Sequence, residues 1–164
     1  MKKLSSIVFL LMLMVSGLNA QNQLIIDAVE FENDDTKGIT TFKGNVNIKR
    51  IKDVIKCNKM VLYTKPNTSG KSKNKQIEKM VATGNVRFTL YMKEKVYTGH
   101  GNKVIYEPQK LKYKIIGNGY LEELKDNTKI YGDTIYLDQK TGYAHIEGNE
   151  KKPVRFIMNI DEKE

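Results

Sequence analysis

The 164-residue sequence has a single cysteine, two histidines and, beyond residue 20, no apolar run long enough to cross a bilayer. A spanning helix needs about 20 consecutive apolar residues. One cysteine excludes an intramolecular disulfide. Cys57 also stands where parallel phrases of the sequence carry Gly101 and Gly132, so it reads as a small packing residue and not a reactive thiol. His100 and His145 lie on separate predicted strands with no cysteine or histidine nearby, so the pattern of a zinc site is missing. Nothing after residue 20 repeats with a helical period, which leaves an all-β chain.

The motifs of cofactor and nucleotide chemistry are missing as well. Thr68-Ser-Gly-Lys-Ser72 lacks the upstream glycine of a phosphate-binding loop, and Gly99-His-Gly-Asn102 opens no helix. Acids such as Asp133, Asp138, Glu122 and Glu123 could pair as in a glycosidase, but scattered carboxylates are common in β-proteins. The expectation is a non-enzyme without a cofactor.

The N-terminus has the form of a secretory leader. Lys2 and Lys3 precede an apolar stretch from Leu4 to Gly17, and Gly17-Leu-Asn-Ala20 offers small residues for a peptidase. Cleavage is expected between Ala20 and Gln21, leaving residues 21–164 as one exported domain. An uncleaved membrane anchor is the alternative.

What the chain does contain is a repeat. Phe42-Lys-Gly-Asn-Val-Asn-Ile48, Ala82-Thr-Gly-Asn-Val-Arg-Phe88 and Ile115-Ile-Gly-Asn-Gly-Tyr-Leu121 are versions of one phrase. Each is answered downstream by a second, in Cys57-Asn-Lys-Met-Val-Leu62, Gly101-Asn-Lys-Val-Ile-Tyr106 and Gly132-Asp-Thr-Ile-Tyr-Leu137. Such periods mark stacked supersecondary units that bury one continuous core.

Alternation within the phrases predicts which side chains point inward. The first phrases place Phe42, Val46, Ile48, Val86, Phe88, Leu90, Ile115 and Leu121 on one face. The second phrases add Met60, Leu62, Val104, Tyr106, Ile135 and Leu137. Gly44, Gly84 and Gly117 recur at one level, read here as inward positions where the sheet folds over on itself. Residues 24–32 are expected to form the opening strand, and 154–160 the closing one.

Charge is lopsided. Twenty-eight Lys and Arg face 19 Asp and Glu; without Lys2 and Lys3 the balance is 26 against 19, or +7. Such an excess fits an anionic partner, or lysines that keep the wet faces of strands soluble. Lys71, Lys73 and Lys75 cluster in a polar loop.

Several of these phrases carry a family resemblance. Ile26-Asp-Ala28, Phe42-Lys-Gly-Asn-Val46, Cys57-Asn-Lys-Met60, Ala82-Thr-Gly-Asn-Val86, Gly99-His-Gly-Asn102, Val104-Ile-Tyr-Glu107, Gly117-Asn-Gly-Tyr-Leu121 and Gly132-Asp-Thr-Ile135 resemble the OstA-like family over about residues 24–160. The resemblance implies a twisted antiparallel β-jelly roll, built of repeated strand pairs and open at both ends. It implies an interior groove that covers the lipid A moiety of lipopolysaccharide on its way from the inner to the outer membrane. It further implies a transenvelope bridge, with head-to-tail copies of the chain. In that bridge, edge strands would pair with inner-membrane LptC-like and outer-membrane LptD-like family members.

Three readings compete with a soluble bridge. A membrane-anchored LptC-like sibling would retain residues 1–20. A basic periplasmic glycan-binding β-module, or a nucleic-acid binder, would want exposed aromatics interleaved with Lys and Arg; here most aromatics fall on the inward phase, with Tyr91, Tyr97 and Tyr136 as exceptions. A glycan-cleaving enzyme is the third. Alternation alone favours a closed core filled by the inward set, and it is the resemblance that turns the reading to a groove.

Overall fold

The computed structural model describes residues 23–65 and 76–160. The expected leader, the cleavage point at Ala20 and Gln21, and the Lys71–Lys75 cluster lie outside the described residues. Ten strands occur in the described chain: β1 (Leu24–Asp27), β2 (Glu30–Asp34), β3 (Ile39–Arg50), β4 (Asp53–Thr64), β5 (Ile77–Met92), β6 (Lys95–Glu107), β7 (Lys112–Glu123), β8 (Thr128–Asp138), β9 (Ala144–Glu147) and β10 (Arg155–Ile157). All pair antiparallel in one sheet, in which β3 to β8 follow each other in chain order as a meander.

Both margins of the sheet are split. β1 and β2 pair with opposite halves of β3, and β10 and β9 with opposite halves of β8. The expected single strand over 24–32 is therefore interrupted at Ala28 and Val29. The interruption falls opposite the Gly44-Asn45 bulge, where the Val29 amide donates to the carbonyls of Lys43 and Gly44. Among the described residues no strand closes the sheet between β1/β2 and β9/β10, so it is open along both edges.

The Gly-Asn pairs mark the line where the sheet turns its corner. Pairing shifts between Lys43 and Val46, between Thr83 and Val86, and between Ile116 and Gly119. At each shift Gly and Asn together oppose one residue of the partner strand, which is the count of a β-bulge. Gly84 and Asn85 both have positive φ, 77° and 48°. A Cβ on Gly84 would lie 2.8 Å from Asn58 Nδ2, on the outer surface. Gly44, Gly84 and Gly117 are thus at the fold-over level, as expected, but they are bulge residues and do not face inward.

The turn changes the phase of every other strand. On β4 the inward residues are Ile55 and Cys57, then Met60 and Leu62; on β8 they are Ile130, then Ile135 and Leu137. On β3, β5 and β7 the extra bulge residue keeps the parity, as in Ala82, then Val86 and Phe88. Each long strand therefore serves two layers, one on either side of the corner, which face each other across a shared interior.

Candidate functional site

The interior is built of rungs that run across the sheet. In one layer Phe31, Phe42, Met60, Ala82, Val104, Ile115, Ile135 and Ile146 are directly opposite one another in succession. In the other the succession is Ile26, Ile48, Ile55, Phe88, Gly99, Leu121, Ile130 and Phe156. Directly paired residues share a face, so each rung is a continuous apolar stripe from one margin to the other. A Cβ on Gly99 would stand 2.6 Å from the Phe88 ring, so glycine makes the space that ring occupies.

Thirteen of the fourteen residues expected to line the interior are buried: Val46, Ile48, Met60, Leu62, Val86, Phe88, Leu90, Val104, Tyr106, Ile115, Leu121, Ile135 and Leu137. Phe42, the fourteenth, is half-buried and packs on the Phe31 ring, 5.4 Å away between centroids. At the two margins the stripes become exposed. Phe31 is 65% and Phe156 56% exposed, although both point into the interior.

Other interior residues were not anticipated from alternation. Ile55, Met80, Ala82 and Met92 are buried, and Ile130, Ile146 and Tyr97 pack on them from the ends. Ile55 was hidden by the phase change at Asn58, because simple alternation from Met60 and Leu62 places it outside. Tyr97, expected on the outer face, instead lies opposite Leu90 on the inner one. Leu111 sits in the turn before β7 with φ of 53°. Cys57 is buried as expected, and burial pushes its thiol up to about 11.

A polar cluster joins the two layers along the margin away from the corner. The Arg50 guanidinium donates to the Tyr106 hydroxyl and lies 3.5 Å from the Asp53 carboxylate. Tyr113 donates to Asp53 at 3.3 Å, and Gln139 donates to Asp53 and to the Tyr91 carbonyl at 3.4 and 3.2 Å. The Tyr91 amide donates to Asp53 at 2.9 Å. Arg50, Asp53 and Tyr91 belong to one layer, and Tyr106, Tyr113 and Gln139 to the other. Burial, and next the Asp53 carboxylate, pushes the Tyr113 hydroxyl far above its usual range, so it remains a donor. Among the described residues no backbone hydrogen bond crosses between the layers. Away from the corner, where the strands themselves run from one layer into the other, side chains hold the layers together.

No helix among the described residues is long and apolar enough to cross a membrane, and no group of three His, Cys, Asp or Glu is placed to hold a metal. The described residues form an open, folded sheet whose apolar interior is exposed at both ends.

Comparison with known proteins places this arrangement. No curated protein matches the chain. Among solved structures it is similar to LptH of Pseudomonas aeruginosa, described as the LptA-homologous periplasmic component of the lipopolysaccharide transport device. The TM-score is 0.69 at 15% identity, over 86% of this chain and 96% of that one, a likeness of fold. The family described as LptA/(LptD N-terminal domain) LPS transport protein matches residues 25–143, most of the chain. The OstA-like phrases of the sequence, from Ile26 to Ile135, all fall within the matched residues. The chain therefore belongs to the LptA/LptD N-terminal-domain family of lipopolysaccharide transport proteins.

Proposed function

We propose that this protein carries lipopolysaccharide through the periplasm, its folded sheet holding the acyl chains while the sugar head stays outside. The carrying observation is the pair of apolar rungs, continuous from the half-open Phe31 end to the half-open Phe156 end of an unclosed sheet. Hiding acyl chains from water is worth about 0.8 kcal/mol per CH₂. The middle of the interior is packed shut, with Val86, Leu90, Ile115 and Ile135 fully buried. Entry therefore requires the layers to part. Side-chain packing and the polar contacts of Arg50, Asp53, Tyr106, Tyr113 and Gln139 resist that, and the incoming acyl chains take the place of the apolar neighbours that separate.

The protein acts as a carrier and catalyses no reaction. Its first 20 residues serve as a leader cleaved before Gln21, and the released domain works as a periplasmic bridge element. The free edges β1/β2 and β9/β10 present unpaired backbone groups, which invite added strands. Head-to-tail pairing of these edges would extend the rungs from copy to copy, since Phe31 and Phe156 lie at opposite margins. The same edges would receive LptC-like and LptD-like partners at the two membranes.

A photo-crosslinking side chain at single positions, in cells that make lipopolysaccharide, tests the groove. Adducts are expected at 88 and 106, which face inward, and few at 87 and 89, which face outward. Equal labelling at 88 and 89 would place the lipid on the outside. Absence of labelling at all four, in a folded protein, would leave the interior a closed core.

A further inference from the structure

The outer face carries a second ordered row of side chains. Asn47, Lys56, Arg87, His100, Tyr120, Tyr131 and Arg155 are directly opposite one another in succession, one on each of strands β3, β4, β5, β6, β7, β8 and β10. Their sequence neighbours, such as Ile55, Phe88, Leu121 and Ile130, face the interior, so this row faces water. From Lys56 to Arg155 it crosses five strand spacings, about 24 Å. Lys56, Arg87 and Arg155 form no ion pair among the described residues; the one carboxylate in the row is Asp27 of β1, directly opposite Asn47 at the end far from Arg155. In the next outer row the single acid, Glu122, already accepts from Tyr120 at 2.6 Å and lies 3.8 Å from Lys129.

The aromatic members are arranged for polar contact. His100 and Tyr120 lie 5.2 Å apart and Tyr120 and Tyr131 4.9 Å apart, ring against ring. Tyr120 stands between the other two rings, with a neighbour on either side. A nucleic-acid platform needs free ring faces for base stacking, so this row does not make one.

At the Asn47 end the row runs into a cleft of about 420 Å³, lined by Asn45, Asn47, Asn58, Asn85 and Lys56 together with Val46 and Cys57. The Asn47 Oδ1 atom is buried there and has no hydrogen-bond partner. Four amides beside a lysine suit hydroxyl and acetamido groups.

We propose that this row and its amide cleft bind an anionic glycan: a strand of N-acetylated amino sugars carrying carboxylate groups, as in the bacterial cell wall. The cations meet the carboxylates, and the asparagines meet the hydroxyl and acetamido groups. The sugar of a lipid held in the interior is not the occupant, because the sheet stands between. Its exit at the Arg50–Tyr106 margin is about four residues, or 13 Å, further along the strands from Arg87. The inference shares with the proposed function only the periplasmic location. A carrier bound in this way would be held to the wall layer with its interior free.

The test is co-sedimentation of the purified chain with insoluble cell-wall glycan. The chain is expected to pellet, and the Arg87→Glu/Arg155→Glu pair to bind about tenfold more weakly. A Lys52→Glu/Lys140→Glu pair, equal in charge but off the row, is expected to bind as the parent does. Asn47→Ala and Tyr131→Ala change no charge and should each weaken binding by about threefold. Phe88 variants should leave sedimentation unchanged, which separates this result from the outcome at the lipid groove. The proposal is overturned if the parent does not pellet or if both charge-reversed pairs lose binding equally. Preferential competition by the lipid-free saccharide of lipopolysaccharide, or by single-stranded DNA, would overturn it too.

Discussion

The Arg50 guanidinium donates to the Tyr106 hydroxyl and also lies 4.7 Å above the centre of the same ring, tying the end of β3 to β6 across the interior. Tyr106 in turn stacks on Tyr113, 4.2 Å between centroids, and Tyr113 donates to Asp53. The margin opposite the corner is thus closed by one ring of polar contacts, while the two ends of the rungs stay open. This ring is the barrier that a lipid entering from the side must part.

Arg50→Met keeps the apolar stem and removes the charge, leaving the Asp53 carboxylate, only 9% exposed, without its cation. A loss of roughly 2–3 kcal/mol is expected, because a buried carboxylate is costly once its partner is gone. Denaturant unfolding checks it. The Arg50→Met/Asp53→Asn double variant should lose less than the sum of the two single changes. Additive losses would show that the two groups do not act on each other.

Gly84→Ala tests the corner. The residue has φ of 77°, and the new methyl group would meet Asn58 at 2.8 Å. Destabilisation of about 1–3 kcal/mol is expected from backbone strain and the clash together. Asn58→Ala added to it should restore part of the loss, since the clash goes and the strain remains. Full restoration would show that the backbone conformation costs nothing.

Alkaline pH should weaken the fold. Burial raises the Cys57 thiol from 9.0 to about 11, and it also raises the hydroxyls of Tyr106 and Tyr113. Between these limits the unfolded chain has lost the Cys57 proton and the folded chain retains it. Stability is therefore intact below pH 9 and falls as pH rises toward 11, by up to about 1.4 kcal/mol per unit for such a group. Cys57→Ala should flatten the slope in that window, as followed by unfolding midpoints. An unchanged slope would exclude Cys57 as a contributor.

Removing the chain from Val154 onward takes away β10 and exposes β8 along half its length. Head-to-tail association, read by light scattering over a concentration series, is expected to fall to monomer. Association that survives the truncation would mean that copies meet through another surface. Far-ultraviolet circular dichroism of the truncated chain separates lost pairing from lost folding.

The sequence by itself determined the class, the repeat and most of the inner face. Alternation is a local property of a strand, so Val86, Phe88 and Leu90 could be assigned inward without knowing what they meet. The family phrases were equally legible, since Gly-Asn pairs at matching levels record a backbone bend wherever the chain goes. What alternation could not show was the phase change at Asn58, Asn102 and Asp133. It arises because one strand must oppose a two-residue bulge on its neighbour, a relation between strands and not within one. Ile55 was missed, and Tyr97 misplaced, for want of the pairing that puts each opposite an inward residue. Arg50 and Asp53 are a turn apart in sequence, but Tyr106, Tyr113 and Gln139 reach them only because the sheet folds over. The outer row from Lys56 to Arg155 depends on register across six strands, which no single stretch of sequence contains. Local patterning sets which face a side chain takes; the pairing of distant strands alone decides its company.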